Sequence, residues 1–357
     1  MKKLLLFLFI LLLFATYHIL LTKEQLEEAP FEKKEELNFD QVIDDIEPKI
    51  LKTNLQYLAS DQLEGRMSGK KGNILAAAFI KQEFEKIGLD TTYHKFKIKK
   101  INPGPSDEIG DDFTQNIYGW LDGNEELLKN EIIVIGAHMD HIGYGPNMSR
   151  FGSGKIHPGA DDNASGTVAL IEIAKSFSKL KGKNKRTVVF MAFSAEEMGL
   201  LGSKFYCENP IFPKDSPDIK KHVFMLNMDM IGYLNNGAHK SAFSNGNSSI
   251  QIDKIINELS DKYNFAKTIT SRRSGGSDHA CFYNKKIPIA FLHTGLHPHY
   301  HKPSDTSDKI NYDGLCEITK YAFELSWKVC NEEESPIFNV ADFEEMDLTH
   351  DHGYQKF

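Results

Sequence analysis

His138 and Asp140 stand two apart in the stretch IIVIGAHMDHIG, residues 132-143. In extended backbone that spacing points both side chains the same way. Apolar residues run up to Gly136 and Ala137, so a buried strand ends there and polar chemistry begins at once. An imidazole and a carboxylate at the end of a buried strand make half of a metal site. The other half has to come from elsewhere in the chain. Four later points carry suitable residue types: Asp161-Asp162, Glu196-Glu197, Asp229 and His301.

Singly, each point has an ordinary alternative. A lone HxD is usually a surface loop pair. Asp161-Asp162 with Asn163 suits a turn and helix cap. The Glu pair could favour a helix N-terminus electrostatically. Asp229 could be a loop carboxylate, and His301 lies among His293, His297 and His299. Jointly, the set suits two borderline-soft cations held by imidazole and carboxylate, with no thiolate. One carboxylate can bridge two such ions, leaving a His and a carboxylate for each.

The positioning elements follow from periodicity. Residues 40-59 and about 68-87 have helical spacing, separated by the polar loop LASDQLEGRMSGKKGN. Short strands are expected at about 91-99 and 113-121, and buried strands at the run ending at Gly136, at 187-193, at 222-229 and at 287-292. Helices are expected at about 165-180, after SAEEMGLLGS, at 248-260 and at 312-330. The Gly- and Ser-rich loop YGPNMSRFGSGKIHPGADDNASG is longer than an ordinary strand-to-helix link. Strands alternating with helices predict a three-layer α/β/α domain with a mainly parallel sheet. Ligand-type residues just past strand ends fall where open α/β sheets place their sites.

The chain has 357 residues and a formal net charge of -8. Mixed charge and the lack of a basic patch exclude a nucleic-acid binder. GxSxG and HExxH are both absent, which disfavours serine-hydrolase and single-zinc HExxH chemistry. Cys207, Cys281, Cys316 and Cys330 show no metal-ribbon spacing, and either disulfide pairing or buried free thiols fits them.

HMDHIG, PGADDNASG, SAEEMGLLGS, NMDMIG, SDHACF and HYHKPSDTSDKI, in that order, resemble the M28 family of di-zinc aminopeptidases. LASDQLEGRMSGKKG resembles the opening segment of bacterial members, and the similarity covers roughly residues 50-330. The resemblance implies a mixed, mainly parallel sheet with helices on both faces. It implies two zinc ions, one on His138 and Asp229, the other on Glu197 and His301, with Asp162 bridging them. Glu196 would be the general base, and Asp140 would support His138. Asp278 matches a recurring SDH element near the substrate pocket. The implied substrate is a peptide with a free N-terminus. Phe151, Phe282, Tyr283 and Tyr300 are candidates for lining its first side-chain pocket.

Other readings on this scaffold are a carboxypeptidase, for which Arg272 and Arg273 could meet the substrate carboxylate, and a one-zinc glutaminyl-cyclase-like enzyme. A non-catalytic binding module would be expected to lose ligands or the base, and none is lost here. The resulting layout is a signal peptide or signal anchor at 1-23, a linker at 24-39, a zinc-peptidase domain at 40-330 and an acidic tail at 331-357. Lys2 and Lys3 precede the apolar run from Leu4, which reads as an export signal, cleaved or kept as a membrane anchor. The catalytic part is then expected outside the cytoplasm, in the periplasm of a bacterial cell or secreted.

Overall fold

The computed structural model of the chain describes residues 38-98, 112-145, 148-234, 242-243, 248-263, 276-341 and 343. Residues 1-23 and the linker up to 37 lie outside these, as do Arg272, Arg273 and the tail beyond 343. Among the described residues no helix is long and apolar enough to cross a membrane.

The first helical stretch is two helices, α1 (Phe39–Asp44) and α2 (Pro48–Leu58), where one was expected. Pro48 is the reason. Its ring disfavours helical backbone at the preceding residue, and Glu47 is extended, at φ -119 and ψ 140. There follow α3 (Lys71–Lys86), β1 (Asp90–Lys97), β2 (Phe113–Leu121), β3 (Ile132–His138), α4 (Gly166–Lys179), β4 (Thr187–Phe193) and α5 (Leu201–Glu208). Then come β5 (His222–Met228), β6 (Ala242–Phe243), α6 (Ile250–Lys262), α7 (His279–Asn284), β7 (Ile289–His293) and α8 (Tyr312–Asn331). The two-residue strand β6 and the short helix α7 were not legible as periodic patterns, since each is too brief to show a period.

The sheet order is β1-β2-β4-β3-β5-β7-β6. The four strands β4, β3, β5 and β7 run parallel, while β1, β2 and β6 pair antiparallel at the edges. Every residue of β3 and β4 is buried, as expected of strands covered on both faces. Side chains alternate between two cores. Ile133, Ile135, Val188, Phe190 and Ala192 join α2, α3, α4 and α8 on one face. Ile132, Val134, Val189, Met191 and Phe193 join α5 and α7 on the other. A period of two serving two helical layers is the three-layer α/β/α architecture expected from the sequence. On the second face a Cys207–Cys281 disulfide ties α5 to α7, while Cys316 and Cys330 remain buried free thiols.

Arg186, fully buried just before β4, closes one end of the domain. It pairs with Glu131 at 2.7 Å and donates to the carbonyls of Val329, Cys330 and Glu332 at 3.3, 3.2 and 2.6 Å. Those carbonyls end α8, where backbone acceptors lack helical partners and a cation is favoured. Arg186→Met should leave these carbonyls without their cationic donor, leave Glu131 with the Ser335 hydroxyl at 2.6 Å, and cost about 2–4 kcal/mol of stability. Urea unfolding checks this. A loss of no more than about 0.5 kcal/mol, the usual size of a surface substitution, would show that the contacts carry no net stability.

Candidate metal centre

The donors gather at the carboxyl edge of the parallel strands. His138 ends β3, Asp229 follows β5 directly, and Glu196 and Glu197 lie three and four residues past β4. Asp162 sits in the turn Ala160–Ser165 before α4, and His301 comes from the loop after β7. β4, β3, β5 and β7 are neighbours in the sheet, so residues far apart in the chain end side by side.

Two donor groups form: His138, Glu196 and Asp229 in one, and His141, Asp162, Glu197 and His301 in the other. Within each, the donor atoms lie within 4.8 Å of one another. Asp162 faces both groups. Its Oδ1 is 3.4 Å from His138 Nε2, and its Oδ2 is 3.1 Å from His301 Nε2. His138 Nε2 is 3.3 Å from Asp229 Oδ1, and His301 Nε2 is 3.2 Å from Glu197 Oε2. Two donors at ordinary bond length from one tetrahedral zinc lie roughly 3.3 Å apart. The donor atoms therefore stand at the separation a shared ion imposes.

Each of these two histidines turns its other nitrogen to a backbone carbonyl. His138 Nδ1 donates to Asp140 O at 3.2 Å, and His301 Nδ1 to Met148 O at 3.1 Å. With Nδ1 so engaged, Nε2 is the nitrogen that faces the donor groups in both rings and would serve as the neutral ligand once an ion replaces its proton. The Asp140 carboxylate is 3.8 Å from His138 Nδ1, too far for a hydrogen bond. Its Oδ1 instead accepts the Glu196 backbone N–H at 3.1 Å and holds the Glu196-Glu197 turn.

The electrostatics show a deficit of positive charge. Burial, with Glu197, Asp229 and Asp278 adding to it, pushes Glu196 well above the ordinary carboxyl range, against the pull of His138. Burial also lifts Asp140 to about 7 and Asp278 to about 6. At His138 burial disfavours the charged ring, yet Asp229, Glu196 and Asp162 outweigh it and raise its pKa. Acids that resist ionisation beside a histidine that holds its proton mark uncompensated negative potential. Divalent cations in the two donor groups fit it.

Several residues that build the site went unread in the sequence. The buried Arg66 donates to Met139 O and Leu58 O at 2.9 and 2.6 Å, and to Pro158 O and Gly159 O at 2.7 and 2.9 Å, so it binds the loop of His138 to the loop of Asp162. Asp305 accepts the backbone N–H of Asp161 at 3.0 Å and of Asp162 at 3.1 Å. Asn163 accepts from Met230 N at 3.2 Å and donates to Met228 O at 2.9 Å, tying the Asp162 turn to the end of β5. His141 Nδ1 lies 2.7 Å from Glu197 Oε1. The available signals were the Arg in EGRMSG, the acid four residues past His301, and the second His of HMDH.

A cavity opens over the donors, lined also by Met230, Gly276, Phe291, His293, Leu296 and Tyr300. Of the aromatic candidates, Tyr300 alone lines it. Phe282 and Tyr283 are buried in the core under α7, and Phe151 is exposed with the Lys155 ammonium over its ring. Asp278 is fully buried and is not among the residues that line this cavity.

A sequence profile of Peptidase family M28 matches residues 116–326. A probable leucine aminopeptidase 1 of Trichophyton verrucosum is 33% identical over 204 residues, covering 53% of this chain and 52% of that protein. A probable leucine aminopeptidase of Arthroderma otae is 27% identical over 282 residues, covering 76% and 67%. The chain thus spans about half the length of the first of these relatives. The fold is shared with an aminopeptidase from an Aneurinibacillus species at a TM-score of 0.66 and 18% identity, covering 85% of this chain and 100% of that one. It is shared also with a zinc aminopeptidase from Bacillus subtilis at a TM-score of 0.66 and 18% identity, covering 83% and 98%. The profile match takes in every clustered donor from His138 to His301, and by that match the chain belongs to peptidase family M28.

Proposed function

We propose that this chain is a metal-dependent aminopeptidase with two zinc ions, removing N-terminal residues from peptides that carry a free amine. The observation that carries the proposal is Asp162, set between two donor groups with one oxygen toward each. On this reading His138 and Asp229 hold one ion, Glu197 and His301 the other, and Asp162 is shared. Bound zinc supplies Lewis acidity toward the scissile carbonyl and lowers the pKa of water. Glu196 stands beside His138 and Asp229 in the first donor group, and with Asp162 shared we assign it to proton transfer rather than to ligation. Its raised pKa suits a base that takes a proton from water and returns it to the leaving amine. Asp140 holds Glu196 in place through the backbone N–H. The carboxylates of Asp162, Glu196, Glu197 and Asp229 around the cavity favour a cationic α-ammonium.

The cavity wall of Met230, Phe291 and Leu296 suits an apolar first side chain, in keeping with the leucine aminopeptidase names of the relatives. Among the described residues that line the cavity there is no arginine or lysine; Arg272 and Arg273 lie outside the described residues, and the substrate panel below separates the aminopeptidase from the carboxypeptidase reading. Two donor groups favour the aminopeptidase over a one-zinc cyclase. An extracytoplasmic site of action, periplasmic in a bacterial cell, is supported by the Cys207–Cys281 disulfide and by the apolar run from Leu4.

A panel of leucine, lysine and glutamate anilides, free and N-acetylated, tests the class. Leucine anilide should turn over fastest, its acetylated form should not be cleaved, and a chelator should abolish activity that zinc restores. Cleavage of blocked peptides from their C-terminus would instead make the protein a carboxypeptidase.

The adjacent glutamates should separate in function. Glu196→Gln should keep both ions and lose ~10²–10⁴-fold in kcat, the usual weight of general acid–base catalysis. Glu197→Gln should bind the second ion more weakly, because an amide is a poorer zinc ligand than a carboxylate. Zinc counting beside kcat decides. Near-normal kcat in Glu196→Gln would remove it as the base, and loss of an ion from that variant alone would exchange the two roles.

A further inference from the structure

His141 is buried at the second donor group, yet its geometry differs from that of the other donors there. Its Nδ1 lies 2.7 Å from Glu197 Oε1 and 3.7 Å from Asp162 Oδ2. The first distance is a charge-assisted hydrogen bond, shorter than the roughly 3.3 Å between two ligands of one tetrahedral zinc. The second exceeds that separation. The other ring nitrogen, Nε2, is buried with no hydrogen-bond partner among the described residues. With no acceptor for a proton at Nε2 and a carboxylate oxygen at Nδ1, the proton belongs on Nδ1.

The fold makes room for this ring. Gly159 has φ +59, and a Cβ there would sit 2.5 Å from His141 Cγ. The chain around His141 is pinned as well, its N–H donating to Arg66 O at 3.4 Å. Glu197 Oε2, meanwhile, faces His301 Nε2 at 3.2 Å. The two oxygens of Glu197 thus have different neighbours.

We propose that His141 is a positioning residue for the second ion: its Nδ1–H holds Glu197 Oε1 and leaves Oε2 as the oxygen offered to the metal. The inference rests on the dinuclear reading above. Without the hydrogen bond the Glu197 carboxylate can rotate, and its ordering must be supplied when the ion binds. Partners of this kind are typically worth roughly 10–100-fold in metal affinity.

The test is zinc affinity at both sites of the full-length protein, measured by competition with a chromogenic chelator. His141→Leu should weaken the second ion roughly 10–100-fold and leave the first unchanged. His141→Asn places an amide N–H where Nδ1 was and should stay within about threefold of wild type, since the hydrogen bond is kept. In a Glu197→Gln background, His141→Leu should add almost nothing, because two residues acting as one unit are not additive. Should the leucine variant fail to fold, the asparagine variant and its double mutant with Glu197→Gln carry the test. Additive losses, or an asparagine variant as weak as the leucine one, would overturn the proposal in favour of direct ligation or packing. Wild-type protein with two ions and His141→Leu with unchanged affinities would overturn it alone. Wild-type protein that binds only one ion in excess zinc would overturn the dinuclear reading and this inference together.

Discussion

Asp140, Asp162, Asp229 and Asp278 are each no more than 8% exposed, and they meet at one edge of one sheet. Burying ionised carboxylates costs several kcal/mol apiece unless cations or hydrogen bonds answer them. The answering groups explain much of the surrounding structure. His138 and His301 turn Nε2 toward the acids because their other nitrogens are spent on backbone carbonyls. Arg66 is buried nearby as a permanent cation, its pKa drawn down to about 10 by burial although Asp305, Asp162, Asp140 and Glu197 all pull it upward. What remains uncompensated is the potential that two divalent ions would fill.

Positioning at this edge falls to backbone hydrogen bonds more than to packing. Arg66 joins one carbonyl of the loop after β3 to two carbonyls of the loop before α4. Asp305 holds the N–H groups of Asp161 and Asp162, and Asp161 Oδ1 accepts from Gly232 N at 2.6 Å. Each loop is thereby fixed to another loop, while the strands below supply the rigid base. The donor atoms are thereby held at ligand separation by the protein's own hydrogen bonds, which reduces the ordering that binding an ion must supply.

The second face of the sheet serves the same edge. α5 follows the Glu196-Glu197 turn, and α7 follows Asp278. The disulfide between them, and the packing of Tyr206 on Phe282 at 6.0 Å, tie α5 to α7 on that face.

Local information in the chain decided the strands, the two-sided burial of β3 and β4, and the kinds of donor at the strand ends. Period and residue type are properties of short segments, so they are legible without a fold. The break at Pro48 is local in origin as well, since proline restricts its own neighbour, but the apolar spacing of 40-59 reads as one helix across it. The resemblance to family M28 names His301 among the histidines of the 293–301 run, and the tertiary structure decides which of them meets Asp162. His301 does, while His297 lies 3.1 Å from Asp161 and stacks on Tyr233, and His299 pairs with Ser304. It likewise gave Arg66, Asp305 and His141 their places, and put Phe282 and Tyr283 in the core. Those outcomes depend on a strand order, β4-β3-β5-β7, that differs from chain order. Spacing along a chain constrains contacts within a few residues. Contacts between loops some 55 to 150 residues apart, such as His141 with Glu197 or His301 with Met148, are set by which strand ends become neighbours.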